Sequence, residues 1–468
     1  MSIPDWIYDA IFYQIFPDRF ANGDPSNDPV NVQPWGADPT EFHFQGGDLR
    51  GVIHHFDYLL DLGVNAIYFN PIFSATSNHR YNTSDYYRID PKLGVIGDFC
   101  ELLELAHSHN MRVILDGVFN HCGRGFFAFH DLMENEEQST FRDWFHVLKF
   151  PLHAYGPGKA KNFLAWWDIK SLPKFNTDHP DVRRYLLGVA KYWIEQGVDG
   201  WRLDVPNEID DDSFWAELRR AVKEANPDAY LVGEIWEPNP RWVGESHFDG
   251  LMNYPLRTLL GKFIVQGSLT ASGFSAGLQE LWDVYPPKHN FAHFLSLGSH
   301  DTERLRRFCK GDPAKARLFF LFQFTYPGVP HIYYGDEIGM DGGKDPACRG
   351  AFPWDQGQWD TTLRNYVKKL IRLRRNLPQL RRGEVELGIL EANDQVFVFK
   401  RTFQNQHALI LMNVAQTSQR LEVPTEGIGW GEGLSVEEKL RNEQLVVQEG
   451  KLTLNLPALG GALLVPNP

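Results

Sequence analysis

The chain has 468 residues, 43% hydrophobic and 23% charged, with Lys plus Arg at 46 against Asp plus Glu at 60 and a formal net charge of −14 at pH 7. This usage belongs to a globular chain and excludes a disordered or fibrous one. The acidic balance, with no basic run to offset it, argues against a nucleic-acid partner. Four cysteines, Cys100, Cys122, Cys309 and Cys348, form no CxxC pair; they are read as reduced thiols of a cytosolic enzyme rather than as zinc ligands or a disulfide framework.

The first residues, MSIPDWIYDAIFYQIFPDRF, carry Asp5 and Asp9 and have no basic start before an apolar core, so they do not read as a secretory signal. No apolar run approaches the ~20 residues that cross a bilayer, and no membrane partner is expected. Strand-like runs follow in order: IFYQIFP at 11–17, VNAIYFNPIF at 64–73, RVILDGVF at 112–119, VDGWRLDV at 198–205, AYLVGEIW at 229–236, FDGLMNY at 248–254, FLSLGSHD at 294–301 and VPHIYYGDEI at 329–338. Near-continuous apolarity marks strands buried on both faces, as in parallel sheets.

Helical sequence alternates with these runs. Asp98 is placed as the N-cap of a helix whose stripe is Phe99, Leu102, Leu103 and Ala106. After Pro180, the residues Val182, Tyr185, Leu186, Val189, Ala190, Trp193 and Ile194 recur at helical spacing until Gly197. Eight strands each followed by a helix predict an α/β fold of the (β/α)8 (TIM) barrel type; strand periodicity alone is shared by an open doubly wound sheet. Residues 122–178, with the aromatic cluster FLAWW at 163–167, are too long for a barrel loop and read as an excursion after the third strand. From 384 the pattern turns to short alternating runs, VFVFK at 396–400, ALILMNV at 408–414 and LTLNL at 452–456, expected to form an antiparallel β-sandwich. The domains are therefore set at 1–121 with 179–383 for the barrel, 122–178 for the excursion and 384–468 for the terminal β domain.

Polar residues gather at the strand ends. The third strand ends in DGVFNH, with Asp116 and His121; the fourth carries Arg202 and Asp204, two apart and so on one face. The fifth ends at Glu234 and the seventh at His300 and Asp301. In a barrel these ends converge on one mouth, where catalytic groups sit. Singly, each has a plain structural explanation: an ion pair, a cap, a hydrogen-bonded core histidine. Together, Asp204, Glu234 and Asp301 place three acids in one pocket, where repulsion and desolvation raise at least one pKa. Glycoside cleavage uses a neutral acid beside an ionised carboxylate in that way.

These segments, in this order, resemble the motif set of the α-amylase superfamily of retaining glycoside hydrolases. The Asn207–Glu208 pair and LPKFN at 172–176 resemble its cyclomaltodextrinase, neopullulanase and maltogenic amylase branch. The resemblance implies Asp204 as nucleophile, Glu234 as acid and base, and Asp301 as the holder of the cleaved sugar's hydroxyls. It implies that Arg202 orients Asp204 and keeps its pKa low, that Asp116, His121 and His300 bind substrate, and that the cleaved sugar stacks on Tyr81. Trp236 would lie on the acceptor side, with Asp345 and Arg349 on the donor side. The substrate would be an α-glucan oligosaccharide, cleaved at α-1,4 bonds with α-1,6 cleavage left open, and no organic cofactor is implied.

The loop ANGDPSNDP supplies Asn22, Asp24, Asn27 and Asp28, and GGDL supplies Gly46 and Asp48. Hard oxygen ligands suit Ca²⁺, although the same composition makes an ordinary turn. The resemblance to the branch's N-terminal calcium site favours a structural ion. That branch also carries an extra N-terminal β domain; here the first strand lies close to Met1, so dimerisation through such a domain is not expected. Pro206 and Phe175 depart from the branch's usual Ala and Leu, which leaves linkage preference open. Two rival readings have specific difficulties. GFSAG at 273–277 fits the spacing of a serine-hydrolase elbow but follows no buried strand. A non-catalytic sugar-binding barrel would not need all three acids.

Overall fold

A computed structural model describes residues 2–389 and 393–467. All eight apolar runs form strands of one parallel sheet: Phe12–Ile15, Ala66–Phe69, Arg112–Gly117, Gly200–Leu203, Tyr230–Gly233, Gly250–Leu251, Phe294–Ser296 and Val329–Tyr333. The first strand pairs with both the second and the eighth. The sixth and seventh, at the sheet's two edges, meet through a parallel bridge between Met252 and Phe294, with the Asn253 N–H donating to the Phe294 carbonyl at 2.9 Å. The sheet thereby closes into a barrel and leaves no edge exposed.

Period-two alternation explains how this barrel carries a polar mouth. Phe12, Ala66, Ile114, Val232 and Phe294 pack together within the barrel. Two residues further along the same strands stand Gln14, Tyr68, Asp116 and Glu234, and on the fourth strand Arg202 is followed by Asp204. The inward row thus changes from apolar to polar and ionisable at the C-terminal ends. The other face of each strand packs against the helices in the large core that includes Tyr13, Ile67, Leu115, Trp201 and Leu231.

The helix read from Pro180 spans Pro180–Glu195, and Gly197 follows it at φ 103°. One boundary differs. The helix around residue 98 runs Ile96–Ser108, so Asp98 is not the N-cap. Its carboxylate instead accepts the Val95 N–H at 2.7 Å and pairs with Arg50 at 2.6 Å. An acid in the first turn serves the free N–H groups as a cap would, which is why the two placements look alike in sequence. Beyond the third strand lie helix Phe127–Asn135 and short bridges His121↔Lys174, Phe145↔Phe175 and Val147↔Phe163. This segment overhangs the barrel mouth at His121.

Residues after 383 form a six-stranded antiparallel sheet and a two-stranded one, Gln419–Pro424 with Lys451–Leu456. Val396, Val398, Leu409 and Leu411 face Leu421, Leu452 and Leu454 between the two sheets. On the other side, Phe397 and Phe399 join the main core, Phe399 lying 5.8 Å from the ring of Phe322 on helix Pro313–Thr325. Ser275 of GFSAG sits inside helix Ala271–Asp283, not on a strand-to-helix turn. All four cysteines are free thiols, and no helix is long and apolar enough to cross a membrane, among the described residues.

Candidate active site

Arg202, fully buried, is the hub of the mouth. Its Nη1 donates to Asp116 Oδ1 at 2.8 Å and to Asp204 Oδ1 at 2.9 Å. Its Nη2 lies 2.9 Å from Glu234 Oε2, a close charge contact outside hydrogen-bond alignment. Asp204 and Glu234 therefore lie beside neighbouring nitrogens of one guanidinium. Glu234 Oε2 also accepts the Val205 N–H at 3.0 Å, and Glu234 Oε1 accepts from Trp236 Nε1 at 3.2 Å. Asp204 remains 8% exposed, and its Oδ2 takes no hydrogen bond from the described residues.

Arg349, Asp301, His300 and Tyr81 form a second connected group beside this hub. Arg349 donates from Nη2 to Asp301 Oδ1 at 3.3 Å, from Nε to the His300 carbonyl at 2.9 Å, and pairs with Asp345 at 3.0 Å. His300 Nε2 lies 3.1 Å from Asp301 Oδ2 and 2.6 Å from the Tyr81 hydroxyl, which donates to Asp116 Oδ2 at 2.7 Å. His121 is buried with Nε2 unpartnered, and its ring lies parallel to Trp166 at 5.6 Å. Trp236, 45% exposed, stacks on Tyr254 with centroids 3.8 Å apart.

Electrostatics separates these groups by function. Burial pushes Glu234 up to about 7, against the pull of Arg202, with the Asp301 charge adding to the rise. Burial also raises Asp204 well above the usual carboxylate range, and the Glu234 charge contributes. Arg202 does lower Asp204, as expected, but burial outweighs it, so the expectation of a low pKa for that residue is not met. Burial and the charge of the neighbouring carboxyl thus both favour keeping a proton within this acidic pair. Burial holds His121 down to about 3, and burial with Arg349 and Arg202 holds His300 well below its usual value. Both imidazoles are neutral hydrogen-bonding groups at ordinary pH.

All six residues of the candidate calcium cluster come together. Asp48 accepts the N–H groups of Gly23 at 3.1 Å and Asp24 at 2.8 Å and the side-chain amide of Asn27 at 3.2 Å, while Asn22 Nδ2 reaches Asp28 at 2.9 Å. The side-chain oxygens of Asn22 and Asn27 are buried without partners. Gly46, at φ 82°, has room for no Cβ, which would lie 2.2 Å from Asp28 Oδ1. Among the described residues no group of three or more His, Cys, Asp or Glu side chains could hold a metal. A cation here would need the unpartnered amide oxygens and a backbone carbonyl beside the carboxylates, an all-oxygen set that fits a hard ion.

Four residues escaped the sequence reading. Gln14, Tyr68 and Asn70 touch the site groups directly, and His79 Nδ1 accepts the Tyr81 N–H at 3.1 Å. The signal available was a polar or hydroxyl-bearing side chain in an otherwise apolar strand end.

A family model described as the catalytic domain of alpha amylase matches residues 14–378. The chain is 44% identical over 465 residues to a cyclomaltodextrinase of Geobacillus thermopakistaniensis, covering 98% of this chain and 77% of that protein. It is 43% identical over 467 residues to neopullulanase 2 of Thermoactinomyces vulgaris, covering 99% and 78%. Among solved structures, the cyclic α-maltosyl-(1→6)-maltose hydrolase of Arthrobacter globiformis, in complex with that cyclic sugar, superposes with a TM-score of 0.91 at 39% identity, covering 99% of this chain and all of the other.

Proposed function

This chain belongs to the α-amylase family of glycoside hydrolases, and from that membership we propose a retaining hydrolase of α-1,4-glucosidic bonds in maltooligosaccharides and cyclodextrins. Cleavage of α-1,6 bonds in pullulan or branched α-glucans, and transfer to sugar acceptors, belong to the same reading. The observation that carries it is Arg202 holding Asp204 at 2.9 Å and Glu234 at 2.9 Å. Retaining enzymes place their two carboxyls about 5–5.5 Å apart, on either side of one anomeric carbon.

In the first step Asp204 attacks the anomeric carbon while Glu234 gives its proton to the departing glycosidic oxygen. The C–O bond breaks and a glucosyl ester forms on Asp204. In the second step Glu234, now a carboxylate, takes a proton from water, whose oxygen displaces Asp204 and restores the original anomeric configuration. Asp301, braced by Arg349, accepts from the hydroxyls of the cleaved sugar. His121 and His300, both neutral, supply donors at the ring hydroxyls. Tyr81 provides the stacking face for that sugar and Trp236 an open aromatic face for the acceptor. Asp345 and Arg349 extend the donor side.

The reading includes a structural Ca²⁺ held by Asn22, Asp24, Asn27, Asp28, the Gly46 carbonyl and Asp48. The ion would neutralise the acidic cluster and tie the loop after the first strand to the helix that begins at Leu49. A cytosolic setting is supported by the four unpaired cysteines. The test is product analysis on maltoheptaose, β-cyclodextrin, pullulan and a branched oligosaccharide, with Asp204→Asn as control. Turnover of at least one α-glucan by the parent and its loss in the variant is expected; equal turnover by both would refute the assignment.

A further inference from the structure

Behind Tyr81 and His300 lies a closed ring of hydrogen bonds whose directions can be read one from the next. Asp116 accepts Arg202 on Oδ1 and the hydroxyls of Tyr68 and Tyr81 on Oδ2, at 2.6 and 2.7 Å. Tyr81 has one proton to give. Having given it to Asp116, its oxygen can only accept from Asn70 Nδ2 at 3.0 Å and from His300 Nε2 at 2.6 Å. With its amino group turned to Tyr81, Asn70 presents Oδ1 to Gln14 Nε2 at 2.8 Å. The same Gln14 nitrogen lies 2.9 Å from His300 Nδ1. A donor at Nδ1 requires that nitrogen to accept, so the imidazole proton sits on Nε2, where Tyr81 needs it.

The amide of Gln14 is held in one sense by this circuit. Reversed, its oxygen would face Asn70 Oδ1, oxygen against oxygen. Gln14 Oε1 is instead left buried without a partner, a cost that an amide serving only as packing would have no reason to bear. Gln14 and Asn70 are both buried, at 0% and 1% exposure, on the first strand and at the end of the second.

We infer that Gln14 and Asn70 are positioning residues that fix His300 in its Nε2–H tautomer and hold the Tyr81 hydroxyl, so that the Nε2–H is kept on the side of Tyr81 and Asp301 and the aromatic face is fixed for the cleaved sugar. This inference rests on the reading of Tyr81 and His300 as sugar-binding groups.

The test uses Gln14→Met, which keeps size and removes both amide groups, and Gln14→Glu, which replaces the donor at His300 Nδ1 by an acceptor. Thermal unfolding, kcat, KM and pH profiles are compared, together with ¹⁵N spectra of histidine-labelled protein in which His300 is assigned by its loss in His300→Gln. His300 is also faced by Asp301, Arg349, Arg202, His79 and His331, all unchanged in these variants. The parent is expected to show Nδ1 bare and Nε2 protonated. Gln14→Glu is expected to protonate Nδ1. Its activity should then survive best at low pH, where both nitrogens carry protons, and fall roughly ten-fold or more relative to the parent by pH 8, the equivalent of one lost hydrogen bond. A parent with Nδ1 protonated, or a Gln14→Glu pH profile superposing on the parent's, would overturn the inference. So would a Gln14→Met that loses melting temperature while keeping kcat and KM. Should Gln14→Met fail to fold, the Gln14→Glu profile and the parent spectrum decide. A parent with the expected tautomer but no turnover of any α-glucan would refute the proposed function and leave the ring itself intact.

Discussion

The backbone N–H of Val205 donates to Glu234 Oε2 at 3.0 Å, so the peptide that leaves Asp204 also holds the carboxyl on the neighbouring strand. Val205 sits at φ 35°, ψ 51°, a left-handed conformation that costs a β-branched residue about 1–2 kcal/mol. Pro206 follows and narrows its choices further. Strain of this kind persists where the surroundings over-determine it, and here it aims one N–H at the acid.

Val205→Gly removes the strain and frees the turn. The melting temperature is expected to hold or rise, while kcat falls roughly ten-fold because the Glu234 carboxyl loses its fixed donor. Calorimetry and initial rates on maltoheptaose check both halves.

Stability should depend on pH through Glu234. Its carboxyl is pushed up to about 7, so the folded protein keeps a proton that the unfolded chain releases near its ordinary value. The folded state then binds more protons. The contribution is full below the usual glutamate range and is lost as pH rises through about 7. Glu234→Gln removes this titration and is expected to be more stable than the parent at pH 8 by about 1–3 kcal/mol, with a smaller difference at pH 5. Urea unfolding at the two pH values reads it. In the parent, kcat/KM should decline on the alkaline side near the same pH, because the acid must be protonated.

The indole N–H of Trp236 lowers the proton affinity of Glu234 by favouring its ionised form. Trp236→Phe keeps the stack on Tyr254 and deletes the donor. The alkaline limb of kcat/KM is expected to move upward by a fraction of a pH unit, whereas Trp236→Ala should also raise KM for acceptor sugars in transfer assays.

Calcium should raise the melting temperature by several degrees and chelation should reverse it, since an ion that binds only the folded state stabilises by mass action. Asp28→Ala is expected to abolish the calcium response with little change in kcat at low temperature. Gly46→Ala should do the same by driving a methyl group against Asp28 Oδ1. Differential scanning with and without calcium checks each.

The barrel was legible because its strands are unbroken apolar runs and because the residues at their ends are ionisable. Alternation puts Arg202 and Asp204 on one strand face, and the convergence of strand ends in a barrel brings Asp204 and Glu234 to one mouth. Asp98 was misplaced because an acid in the first helical turn and one at the cap meet the same backbone demand. The paired strands Phe73–Ala75 and Thr83–Ile89 went unread, being short and register-shifted. Gln14, Tyr68 and Asn70 carry only a weak signal, a single polar or hydroxyl-bearing group in an apolar run, and sequence does not give their partners, which lie as far as 286 residues away. The balance between burial and Arg202 at Asp204 depends on depth, which no spacing reports.

The most direct test traps the ester. Glu234→Gln lacks the acid and base but keeps Asp204, and α-maltosyl fluoride needs no protonation of its leaving group. Intact mass and peptide mapping after mixing should show one maltosyl unit added, on Asp204. Fluoride release with the adduct on another residue, or with no adduct at all and inverted product, would contradict the account.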